Sequence, residues 1–170
     1  MYDGLRMLLG DDGVVEFPWK GTLHGQEPSE QRQYPCMFDW SGEPLDIDEL
    51  IPQVQAKQFD IILFGDIDRR IPQTPARRIV AAAGDTPIFV LDTEDDPKSN
   101  RSAILAHLGL DAVAGYFKRE MLTCADYGPH AYPLPFAYPD GRVPEELSWA
   151  RPQGLFWAGN RFFGLRRLYL

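Results

Sequence analysis

The chain has 170 residues, enough for one ordinary domain with a real core and short for two complete ones. Hydrophobic residues make up 44% and charged residues 25%, which sets disorder aside. A net charge of −8 argues against a nucleic-acid backbone as principal partner, because phosphate contacts need a basic face.

No run approaches the roughly 18 apolar residues of a spanning helix, so no membrane span is expected. The opening Met1-Tyr2-Asp3-Gly4-Leu5-Arg6 lacks the basic-then-apolar layout of a secretory leader. Cys36 and Cys124 lie far apart and read as reduced thiols, so a cytoplasmic location is expected.

Leu5, Leu8 and Leu9 form a short helical stripe that Gly10 terminates. Val14 to Phe17 reads as a short strand ended by Pro18, and residues 19 to 42 show no period and read as loop. The strongest helix is 46 to 57. Asp46 and Glu49 are spaced as a capping box, and Ile47, Leu50, Ile51 and Val54 share one face. Phe59 to Gly65 follows as a continuous apolar run, expected to be a strand buried on both faces.

Thr74-Pro75 opens a helix that Gly84 closes. Pro87 to Leu91 is a second buried strand, and residues 98 to 108 a helix with Ile104, Leu105 and Leu108 inward and Gly109 as terminator. Ala112 to Phe117 is a third strand, weakened by Gly115, with a short helix through Met121 and Leu122 after it. Six prolines between Tyr127 and Pro152 point to an extended connector. Leu155 to Gly159 reads as one more strand, and a helix is expected from about Gly164. The alternation predicts an α/β, Rossmann-like fold: a mostly parallel sheet with helices on both faces.

In such sheets ligands bind beyond the carboxyl ends of the strands, and there the charges gather. Asp66, Asp68 and Arg69 follow the first buried strand; Asp92, Glu94 and Asp95 follow the second; Lys118 and Arg119 end the third. Polar loops and helix starts account for any one of these charges. Their coincidence at three successive strand ends suggests a polar rim for a hydroxyl-rich ligand, since carboxylates accept from hydroxyls and cations meet phosphate. Asp66-x-Asp68 also fits a divalent-metal pair, and Asp66, Thr93 and Lys118 fit a phospho-receiver. The receiver's acidic pair should follow a first strand, however, whereas Asp11-Asp12 precedes one. Neither reading is favoured, and no metal or cofactor is expected.

Asp3-Gly4-Leu5-Arg6, Asp66-Ile67-Asp68, Leu91-Asp92, Glu94-Asp95-Asp96-Pro97, Tyr116-Phe117-Lys118-Arg119-Glu120 and Tyr132-Pro133-Leu134-Pro135-Phe136 occur in that order. Together they resemble bacterial glycosyltransferase-like proteins of the two-Rossmann-domain (GT-B) kind, in the spore-maturation-type group. The resemblance implies an acceptor-side domain over 1–140, a proline-rich connector over 141–153, and the start of a donor-side domain over 154–170. Gly159, Asn160 and Arg161 would then meet the diphosphate of a nucleotide sugar. A glycan or other hydroxyl compound would be the acceptor, held by Asp66, Asp68, Arg69, Asp92, Glu94, Asp95, Lys118 and Arg119. It also implies a fragment inactive alone, with an open sheet edge that a second copy could cover. The alternative is a non-catalytic Rossmann-like module that binds a ligand or partner.

Overall fold

The structure is a computed structural model; it describes residues 2–25, 40–65, 72–94 and 96–134. These lie within one compact unit, Met1–Pro139. Among the described residues there are four α-helices: α1 (Tyr2–Leu9), α2 (Ile47–Gln55), α3 (Gln73–Ala83) and α4 (Arg101–Leu108). Four strands accompany them: β1 (Ile62–Gly65), β2 (Ile88–Asp92), β3 (Gly115–Lys118) and β4 (Ala131–Pro133). They form one sheet in the order β1-β2-β3-β4 with every pairing parallel. The chain is therefore an α/β, Rossmann-like protein.

The side-chain period of two divides the sheet into two faces. Phe64, Ile88, Val90 and Tyr116 point into the main core, where they meet Leu50 and Val54 of α2, Ala76 and Ile79 of α3, and Ile104 and Leu108 of α4. On the opposite face Leu63, Gly65 and Leu91 share an apolar hollow with Leu5 and Leu9 of α1. Helices therefore stand against both faces. Gly115 also serves this second face. A Cβ there would come within 2.9 Å of the Phe89 ring, so the missing side chain makes room for Phe89 beside Phe117, with ring centroids 6.3 Å apart.

α2 forms as its spacing dictates: Asp46 accepts from the Asp48 amide at 3.0 Å, and Glu49 accepts from the Asp46 amide at 3.2 Å. Leu50 and Val54 are buried. α3 ends at Gly84 (φ 58°) and α4 at Gly109 (φ 76°), left-handed positions that glycine occupies at least cost.

Several expectations need correction. The leucine stripe of α1 is not its buried face: Leu5 and Leu9 only border the hollow, Leu8 is 82% exposed, and the helix's buried residues are Asp3 and Arg6. The helix is held by polar contacts instead. Val14 to Phe17 does not join the sheet, although Val14 and Val15 line the hollow beside β1. β1 is shorter than the apolar run that announced it. Among the described residues it is an edge strand paired only with β2, and Ile61 is 49% exposed rather than buried. Met121 and Leu122 lie in irregular chain rather than a helix.

The supposed connector contributes β4, held to β3 by the Tyr116 amide donating to the His130 carbonyl (2.9 Å) and the Leu134 amide to the Lys118 carbonyl (2.9 Å). Among the described residues β4 is an edge strand, and Pro133 lacks a donor, which an edge strand tolerates and a central one does not. The expected connector boundaries and the elements from 154 onward lie outside the described residues. Among the described residues no helix is long and apolar enough to cross a membrane.

Candidate functional site

The register of β2 and β3 sets Asp92 directly beside Lys118 at the carboxyl edge of the sheet. Parallel strands put both side chains on the helix-facing side, and both are sealed there, 2% and 0% exposed. Lys118 Nζ donates to Asp92 Oδ1 at 3.1 Å and to the Glu94 carbonyl at 2.8 Å. The Tyr116 hydroxyl, on the same face one pleat back, donates to Asp92 Oδ2. The Glu94 amide donates to Asp92 Oδ1 at 3.2 Å, tying the chain that leaves β2 to the same carboxylate. The Arg119 amide donates to the Asp92 carbonyl at 3.0 Å, extending the ladder by one bond.

Burial, followed by the hydrogen bond and negative charge of Asp92, pushes the Tyr116 phenol well above its ordinary range, so it stays a donor; Ser99 and the Asn100 backbone offset this in part. The carboxylate is thus met by an ammonium, a phenol and a backbone amide. Such saturation is what a buried charge requires.

The loops over this edge are pinned too. Arg101, on the first turn of α4, donates from Nη1 to the Pro129 carbonyl at 2.7 Å, and its guanidinium lies 5.5 Å from the Tyr116 ring centroid. Tyr127, 3% exposed, donates its hydroxyl to the Pro97 carbonyl and accepts from the Leu122 amide at 3.0 Å. These bonds tie the β2–α4 loop to the β3–β4 loop.

The sequence placed Asp92, Glu94, Lys118 and Arg119 on one rim, and the structure brings them together. They divide into two classes. Asp92 and Lys118 are spent on each other beneath the surface, whereas Glu94 and Arg119 stand half-buried at the rim, each engaged within the protein. Asp66, Asp68, Arg69 and Asp95 lie outside the described residues, as do Gly159, Asn160 and Arg161.

A second constellation escaped the sequence reading. A cleft of about 300 Å³ opens between α1, the segment after it and the approach to α2, lined by Tyr2, Arg6, Glu16, Trp19, His24 and Ser41 among others. His24 Nε2 and Glu16 Oε2 are 3.0 Å apart, with the two side chains 2% and 14% exposed. Its other ring nitrogen lies 2.8 Å from the Trp40 carbonyl oxygen. Trp19 stacks on the imidazole with centroids 3.6 Å apart and an interplanar angle of 13°.

Burial pushes the Glu16 carboxyl above the usual carboxylate range, against the opposing pull of His24 and Lys20. Arg6, 4% exposed, turns its guanidinium into the protein. Nη1 donates to the Asp11 carbonyl (2.8 Å), and Nη2 to Asp11 Oδ1 (3.1 Å) and the Ser41 carbonyl (2.9 Å). Trp40 Nε1 donates to Asp3 Oδ1 at 3.0 Å. Two strands of evidence for this site were present in the sequence, the aromatic density and the acid–histidine content of residues 16 to 24. Neither follows a helix or strand period, so pattern reading passes over them.

The chain matches no protein-family model, no curated protein and no solved structure, so the reading of its chemistry rests on its own residues and geometry.

Proposed function

We propose that the chain is the acceptor-side part of a sugar transferase that moves a sugar from a nucleotide-sugar donor to a hydroxyl acceptor. The observation that carries the proposal is the carboxyl edge of the parallel sheet. A sealed Lys118–Asp92–Tyr116 network there holds the Glu94 and Arg119 backbones in place at the rim. Rigid support beneath a polar rim is what positions ligand groups well. In the reaction the acceptor oxygen bonds to the anomeric carbon as the bond to the diphosphate breaks. The hydroxyl proton passes to a carboxylate, and the bonding pair departs on the diphosphate.

Among the described residues Glu94 is the expected acid left at the rim, since Asp92 is sealed; we assign it the role of base. Gly159, Asn160 and Arg161 are assigned to the diphosphate, as the family resemblance suggests. The test is an amide-resolved titration of the chain with simple oligosaccharides. Shifts concentrated at Thr93–Glu94, Lys118–Arg119 and Leu134, reduced in Glu94→Gln and Arg119→Ala, are expected. Oligosaccharides that leave this edge untouched would overturn the reading.

One observation favours the other reading, a non-catalytic ligand- or partner-binding module: Asp92 and Lys118 satisfy each other and present nothing to a substrate. A chain that binds oligosaccharide at the rim with equal strength in wild type and Glu94→Gln fits that module. Nucleotide-sugar binding that requires Mn²⁺ and is lost in Asp68→Ala would replace the metal-independent scheme.

A further inference from the structure

We propose that the cleft between α1 and the Val14–His24 segment is a binding site for a small organic ammonium ion, independent of the sugar-transferase reading. Three features of the cleft select this ligand class. The first is volume: about 300 Å³ is the lower end of the range for small-molecule pockets and suits a compact ligand.

The second is the fate of the charges. The Nη atoms of Arg6 donate to Asp11, Ser41 and main-chain carbonyls, and its Nε, which has no partner, is sealed within the protein rather than presented to the open space. Asp11 is neutralised by the same contact. Glu16 remains, its side chain 14% exposed at the wall and bonded to His24, with the exposed Asp12 and Glu43 also lining the cleft. Asp11, Asp12, Glu16 and Glu43 outnumber the lining cation Arg6, with Lys20 beside Glu16, so the net charge around the cleft is negative and disfavours a carboxylate or phosphate. The third feature is the π surface. Tyr2 and Trp19 line the same space, Trp19 with one face on His24 and Tyr2 with the Arg6 guanidinium 5.8 Å from its centroid, and the aromatic surface that remains attracts a desolvated cation. An ammonium group would donate hydrogen bonds to Glu16 while its alkyl part lay on the rings.

The built character of the wall distinguishes it from a chance run of surface acids. Glu16 is held by His24, and His24 is fixed on one side by Trp19 and on the other by the Trp40 carbonyl. The carboxylate is thus fixed in place before any ligand arrives.

The experiment is a calorimetric titration of the full chain with butylammonium at neutral pH, using butanol as the neutral counterpart and butyrate as the anion. Butylammonium is expected to bind, with butanol and butyrate weaker by about tenfold or more. Glu16→Gln, which keeps the shape of the wall, is expected to weaken the ammonium ion by about tenfold and leave butanol unchanged. Asp12→Asn, on an exposed side chain that carries no fold, is expected to weaken it by a few-fold and serves if Glu16→Gln does not fold. Asp111→Asn, exposed and not among the cleft's lining residues, should have no effect. Absence of ammonium binding would overturn the proposal. So would equal binding of butanol, or an Asp111→Asn loss as large as that of Asp12→Asn.

Discussion

The carboxyl edge of the sheet and the cleft beside α1 use similar residues to opposite ends. At the sheet edge, Asp92, Lys118 and Tyr116 are all 2% exposed or less, and each polar group finds its partner inside the protein. Beside α1, Glu16 and His24 are also paired and largely buried, yet they form a wall of open space rather than a filled interior. A closed ion pair fixes structure; a paired group facing a cavity keeps the capacity to meet something else. Residue type does not separate these cases. Whether space is left beside the pair does.

The largest effect should come from opening the closed pair. Lys118→Met leaves a buried carboxylate with its cation gone and is expected to cost about 3–5 kcal/mol in a denaturant titration. Adding Asp92→Asn should recover much of that loss. If Lys118→Met unfolds no more easily than the native chain, the edge is not sealed and the contrast with the cleft collapses.

Tyr116→Phe comes next, at about 1–3 kcal/mol, because one oxygen of Asp92 loses its donor. This variant also carries a pH signature. The phenol is held above its ordinary pKa of about 10 in the folded chain, so the unfolded chain sheds the proton first. Its contribution is whole below about pH 10 and declines as pH rises beyond it. Above that point the native protein should lose stability more steeply than Tyr116→Phe, by up to about 1.4 kcal/mol per pH unit. Parallel slopes would show that the hydroxyl is not bound to a buried carboxylate.

On the other side of the comparison, Trp19→Ala removes the stack on His24 and should cost about 0.5–1.5 kcal/mol beyond the apolar area lost. A null result in thermal unfolding would mean that the cleft wall is not preorganised. The smallest effect marks the baseline. Arg78 and Asp48 approach to 2.5 Å, but their side chains are 44% and 77% exposed, and Arg78→Ala should stay within about 0.5 kcal/mol.

Much of the fold was legible because its cues are local. Asp46 and Glu49 announce α2, Gly84 and Gly109 close α3 and α4, and the apolar runs at 59–65 and 87–91 mark two neighbouring strands. The errors share a cause. Leu8 and Leu9 look like a buried face, but Arg6 finds Asp11 and Ser41 in the folded chain, and that partner set decides which side of α1 turns inward. β4 was missed because Pro129 and Pro133 read as connector, whereas an edge position forgives a missing donor.

The site was legible in part for the same reason. Strand ends reveal which residues share a rim, so Asp92 and Lys118 could be placed together. That they would neutralise each other depends on the β2–β3 register, which only the assembled sheet determines. Glu16, Trp19 and His24 belong to irregular chain, where spacing says nothing about contact.

The register pairing of Asp92 with Lys118 also acts as a proofreading device during assembly. Because side chains alternate between faces, sliding β3 by one residue against β2 would turn Phe117 toward the helices and strand the ammonium on the opposite side. The acid of β2 would then be buried with no counter-charge. A mispaired sheet is penalised at its last rung, so the hydrophobic residues before it need not specify the alignment alone.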